Sequence, residues 1–169
     1  MLDRPHPTPA APSADPFALA KALSGLHFIG GAYVPARSGK TFAVVNPATG
    51  IEVARAAEGD AADVDAAVTN AAKAQKEWAK LPARKRGALV HQCAALLKEH
   101  VDELGRLIAL ETGKALRTES RVEANVVADV FEFFGGLGSE LKGESVPFAP
   151  NVLSVTVREP LGVVGAIIP

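Results

Sequence analysis

The segment that most constrains this chain is its last one, residues 159–169, EPLGVVGAIIP. Val163, Val164, Ala166, Ile167 and Ile168 form a nearly unbroken apolar run rich in β-branched side chains, the pattern of a strand covered on both faces. Such a strand needs neighbours to pair with and helices to cover it, and nothing follows Pro169 to supply them. The expectation is therefore an α/β chain, rich in helix, with an incomplete sheet and a final strand that is poorly covered.

Composition narrows the function classes. The chain has 169 residues, 48% of them apolar and 22% charged, which is ordinary for a folded globular protein. A net charge of -1 gives no reason to expect nucleic acid or an anionic membrane, since both need clustered Lys and Arg. Arg84, Lys85 and Arg86 read as the solvated start of a helix. The single cysteine excludes an intrachain disulfide and fits a reducing cytoplasm. No stretch reaches the roughly 18 apolar residues that span a bilayer. The opening residues carry five prolines in the first sixteen positions, so residues 1–25 are expected to form a disordered or loosely draped arm.

Order is expected to begin with a hairpin in which Phe28-Ile29 and Tyr33-Val34 flank Gly30-Gly31. TFAVV and IEVARAA read as strands joined by NPATG, residues 46–50, where Asn46 bonds its own backbone, Pro47 presets φ and Gly50 releases the chain. The middle is helical. Asp60 is the expected N-cap with Asp63 three residues on, and Val64, Val68, Ala71 or Ala72, Gln75 and Trp78 recur at helical spacing. Pro82 ends that helix or opens the next, whose expected apolar face holds Leu89, Cys93, Leu96 and Leu97, and Gly113 stops the one after it. A fourth helix carries Val122, Val126, Val130, Phe133 or Phe134, Leu137 and Leu141 and is expected to run to Gly143. NVLSVTVRE, with Leu153, Val155 and Val157 alternating against Ser154, Thr156 and Arg158, predicts a strand with one dry face.

Local motifs for chemistry fail on spacing. SGKT lacks the glycine a phosphate loop needs at the position of Val34, and GGLGSEL puts Leu141 where a dinucleotide fingerprint needs its third glycine. Cys93 is expected in the core, and His91 and His100 have no second ligand at metal spacing.

Taken in order, FIGGAYV, VVNPATG, AAEGDAADVDAAV, the Trp78 helix, ALETGKAL and EPLGVVGAIIP resemble the N-terminal part of the NAD(P)-dependent aldehyde dehydrogenases, over roughly residues 26–169. The resemblance implies a division into residues 1–25 as an arm, 26–143 as the N-terminal part of a Rossmann-like cofactor-binding domain, 144–158 as an oligomerisation strand, and 159–169 as the first strand of the cofactor sheet. It implies NAD or NADP as cofactor, an aldehyde as substrate and a homo-oligomer. In this family a thiolate attacks the aldehyde, hydride passes to nicotinamide, and a carboxylate activates water to release the acid. The nucleophile and general base belong to segments beyond Pro169, so no catalytic residue is assigned here, and Cys93 matches a structural helix. Two groups carry over: Ile167, Ile168 and Pro169 as part of the cofactor groove, and Val44, Val45 and Glu111 as a candidate monovalent-cation site of backbone carbonyls and a carboxylate. Glu111 stands where the family often has Asp. The chain is therefore expected to be inactive alone; a non-catalytic oligomerisation module or a disabled truncated gene product is the alternative.

Overall fold

The computed structural model describes residues 16–22 and 24–168. A helix, α1 (Pro16–Ala22), precedes a β-hairpin of β1 (Leu26–Ile29) and β2 (Ala32–Pro35), then a second one of β3 (Thr41–Val45) and β4 (Glu52–Ala57). Four helices make the body: α2 (Ala61–Lys80), α3 (Ala83–Glu99), α4 (Val101–Thr112) and α5 (Arg121–Gly136). A π-turn at Leu116–Ser120 leads into α5 and a 3-10 turn at Leu137–Ser139 leaves it. The minimal strands β5 (Ser145–Val146) and β6 (Ser154–Val155) follow. All three strand pairs are antiparallel and separate, so the sheet structure is fragmentary, as the sequence predicts.

Local chemistry explains the boundaries. Gly30 and Gly31 both take positive φ, at 65° and 82°, which a two-residue hairpin turn requires and side chains resist. Asp60 caps α2: its Oδ1 accepts from Ala62 N–H at 2.8 Å, and Asp63 Oδ2 accepts from Asp60 N–H at 3.1 Å, closing a capping box. Pro82 is the N-cap of α3. Gly113 ends α4 in the left-handed conformation, φ 74°, donating to Ala109 O at 3.0 Å.

The core is built from small residues. Ala36, Val53, Ala94, Ala124 and Ala128 are the buried apolar side chains among the described residues. The most extensive packing is α3 against α5, where Gly87, Gly135 and Gly138 bring backbone against backbone. A Cβ added to Gly87 would stand 2.4 Å from Gly135 O, and one on Gly138 would stand 2.9 Å from Ala83 O.

Several expectations need correction. Residues Pro16–Ala22, assigned to the loose arm, are helical and pack on β4 and α4; Phe17 contributes through its ring, with Lys21 Nζ 5.8 Å from the centroid. Of the rest of that arm, residues 1–15 and 23 lie outside the described residues. The fourth helix stops at Gly136 rather than Gly143, because the close approach of Gly138 to α3 turns the chain tightly there. The expected dry faces are wet: Val122, Val126 and Phe133 of α5 and Leu153, Val155 and Val157 of NVLSVTVRE are exposed. The final run is not a strand here, since residues 159–168 have no ladder partner and Ile167 is 103% exposed. A strand exists only where another backbone supplies its hydrogen bonds.

Candidate functional site

The first candidate cluster lies where the β3–β4 turn meets the end of α4. The β3–β4 ladder shifts register between Val44 and Val45, which releases the end of β3 from regular pairing. The turn that follows is self-supporting: Asn46 Oδ1 accepts from Ala48 N–H at 2.9 Å and Gly50 N–H donates to Asn46 O at 2.8 Å. The Pro47 ring lies against the α4 cap, so near that a Cβ on Gly113 would stand 2.8 Å from Pro47 Cγ. Thus the segment carrying Val44 and Val45 and the helix end carrying Glu111 are brought side by side. Glu111 itself is exposed on the last turn of α4, where the helix carbonyls present partial negative charge. Among the described residues no three His, Cys, Asp or Glu side chains cluster as metal ligands, so any cation there relies on backbone oxygens.

The second candidate, the C-terminal run, is anchored at one end. Pro160, Leu161, Gly162 and Val164 form one side of a cleft of about 290 Å³ whose other side includes Trp78 and Arg86. Beyond it Ile167 and Ile168 are exposed, and Pro169 lies outside the described residues.

Cys93 departs from expectation. It is exposed, its thiol donating to Leu89 O at 3.5 Å, because α3 turns Gly87 and Ala94 toward α5 and the neighbouring Leu89-Cys93-Leu96 stripe faces away. His100 Nδ1 meets Glu103 Oε2 at 3.0 Å within one helical turn, consistent with a structural role.

Asp63 carries more than its cap. It is 5% exposed, and its Oδ1 also accepts from Arg37 N–H at 3.0 Å, tying the chain after β2 to the start of α2. The Arg37 bond first, then the Asp60 bond, hold its carboxyl below the ordinary value of 3.8, against the opposing effect of burial. Sequence spacing exposes the local bond to Asp60; the second partner is 26 residues away and leaves no periodic signal.

Comparison with known proteins decides the family. A sequence model described as the aldehyde dehydrogenase family matches residues 33–169. The chain belongs to the aldehyde dehydrogenase family. Solved aldehyde dehydrogenases agree with it in three dimensions. Betaine aldehyde dehydrogenase of Staphylococcus aureus, a point mutant in complex with NAD+, is 32% identical with a TM-score of 0.79, over 85% of this chain and 29% of that one. Indole-3-acetaldehyde dehydrogenase in its apo form is 33% identical with a TM-score of 0.77, over 82% and 32% respectively. The NAD+ complex of the Bacillus cereus aldehyde dehydrogenase is 31% identical with a TM-score of 0.78, over 82% and 28%. The chain thus spans less than a third of the length of these aldehyde dehydrogenases and corresponds to the N-terminal portion of the family fold. Among the described residues no helix is long and apolar enough to cross a membrane.

Proposed function

We propose that this chain is the N-terminal scaffold of an NAD(P)-dependent aldehyde dehydrogenase that oxidises an aldehyde to a carboxylic acid. The observation that carries the reading is the family match over residues 33–169, accompanied by superposition on NAD+ complexes. In this reading residues 26–143 begin the cofactor-binding domain, 144–158 form an oligomerisation strand, and 159–169 begin the cofactor sheet. The exposed backbone edges of the two-residue β5–β6 ladder favour a homo-oligomer, because an unpaired strand recruits another by main-chain hydrogen bonding. A lone cysteine fits a reducing compartment, and this reading takes that compartment to be the cytoplasm.

A bound nicotinamide dinucleotide, NAD or NADP, supplies the hydride acceptor. Ile167, Ile168 and Pro169 fit one apolar wall of its groove and no more. Residues 159–168 contain no helix N-terminus, so the helix-end donors that favour phosphates are not supplied by this run. The Val44 and Val45 carbonyls with Glu111 fit a monovalent cation by donor chemistry, hard oxygens beside the negative end of α4. Bound there, a cation would brace the β3–β4 turn against the Gly113 cap. The covalent and general-base steps belong to the whole protein, since Cys93 serves neither. Betaine aldehyde and indole-3-acetaldehyde, named for two structural relatives, define the amino- and aryl-substituted aldehydes this reading favours.

NADH formation with these two aldehydes tests the proposal. The 169-residue chain is expected to show no turnover, because a missing base or oxyanion donor costs on the order of 10² to 10⁴-fold and loss of the nucleophile removes the covalent route. The protein extended by its downstream coding sequence is expected to turn over and to keep its activity after Cys93→Ala. Activity of the short chain that vanished on Cys93→Ala would overturn the assignment.

A further inference from the structure

A cleft of about 630 Å³ separates the first hairpin from α2, and it shares no lining residue with either candidate group above. One wall is Phe28 with the Gly30–Gly31 turn, and the other presents Ala67, Ala71 and Ala74, which share one face of α2. Phe28 is 65% exposed and its ring meets the exposed Tyr33 ring at 5.0 Å and 55°. An exposed Phe28 ring, backed by Tyr33, beside an alanine-rich helix face is the kind of surface that takes the rings of an extended proline-rich segment, whose low conformational entropy makes docking cheap.

The chain carries such a segment. Residues 4–12, RPHPTPAAP, hold Pro5, Pro7, Pro9 and Pro12, whose fixed φ biases them to the polyproline II form. We propose that this segment docks intramolecularly in the Phe28–Ala71 cleft. Reach permits it: α1 and the start of β1 place Pro16 at most about 28 Å from Phe28. At about 3.1 Å per residue, Pro12 to Pro5 lie about 12 to 34 Å from Pro16. Charge does not oppose it, since Lys73 and Glu77 balance each other in the cleft and Glu77 offers Arg4 a partner of opposite sign. Tethering holds the segment at an effective concentration on the order of 1 mM, so even a weak intrinsic affinity keeps the cleft occupied about half the time.

Paramagnetic broadening tests the proposal on the full chain, with a nitroxide at Ala10→Cys in a Cys93→Ser background. The amides of Gly30, Gly31 and Asn70 are expected to lose about half their intensity, independently of protein concentration, while Arg117 and Ser145 keep theirs. Pro7→Gly, Pro9→Gly and Pro12→Gly combined leave the folded body untouched and are expected to restore the intensity, as is Phe28→Ala. Uniform or absent broadening overturns the proposal. So does broadening that persists in the triple glycine variant, or that requires label and isotope on different copies, which would assign the cleft to another molecule.

Discussion

The seam between α3 and α5 and the apolar surface of the C-terminal run obey opposite rules. At the seam the buried residues are the smallest ones, Gly87, Ala94, Ala124, Ala128 and Gly135, and the packing is backbone against backbone. In the run the residues are among the largest and most apolar, and they are bare. Burial here follows how near two backbones come, and side-chain hydrophobicity alone does not decide it. The α5 residues Val122, Val126 and Phe133 belong to the second class, although they sit on the same helix as Ala124 and Ala128. One helix thus presents a small-residue stripe used within this chain and a large apolar stripe that this chain leaves uncovered.

The sharpest way to break the contrast is to add one carbon to the seam. Gly87→Ala puts a Cβ 2.4 Å from Gly135 O, a backbone atom with no rotamer by which to retreat, so α3 and α5 must separate. The expected loss is about 3 kcal/mol by chemical denaturation, at the upper end for overpacking. A loss within experimental error would mean that the seam does not hold the fold together.

Next comes the link between the first hairpin and α2. The Asp63 carboxyl titrates below its ordinary 3.8, so its contribution is fully present above about pH 4 and is lost as the pH falls through the lower folded value. Thermal melts from pH 6 to pH 3 should show a steep acid limb that Asp63→Asn flattens, while lowering stability at pH 6. An unchanged acid limb would show that the Arg37 and Asp60 bonds do not persist in solution. Asp60→Ala, which removes the cap alone, is expected to cost about 1 kcal/mol at neutral pH.

These experiments also trace what the sequence makes legible. The Gly30–Gly31 hairpin, the Asn46 turn, the Asp60 cap and the Gly113 stop are each set within about five residues, so their chemistry can be read directly. Membership of the aldehyde dehydrogenase family was likewise legible, from an ordered set of such local motifs. The positions of Leu89, Cys93 and Val126 were not, because helical periodicity reports that an apolar face exists and says nothing of which neighbour covers it. On α3, glycine and alanine outcompeted leucine for the inner face by allowing closer approach, the opposite of what hydrophobic patterning weights. The run at Val163–Ile168 fails for a related reason: β-propensity is realised only through a partner strand.

The smallest expected effect is the most telling counterpart to Gly87→Ala. Ile167 is 103% exposed, so the folded chain gains no burial from its side chain, and Ile167→Ser removes a large apolar group that stability does not depend on. The expected change in unfolding free energy lies within about 0.5 kcal/mol, as for other surface exchanges. What should change is association. Ile167 and Ile168 together form part of an exposed apolar surface that favours contact between copies, so Ile167→Ser with Ile168→Ser should stay closer to monomer in sedimentation than the parent does at the same rising concentrations. A double variant that unfolds more easily would show that the run is buried in solution, and one that associates as strongly as the parent would move the sticky surface to α5. Adding one methyl at the seam is thus expected to cost more stability than deleting most of two isoleucines at the tail, and the two measurements together decide whether backbone approach or apolar area governs this fold.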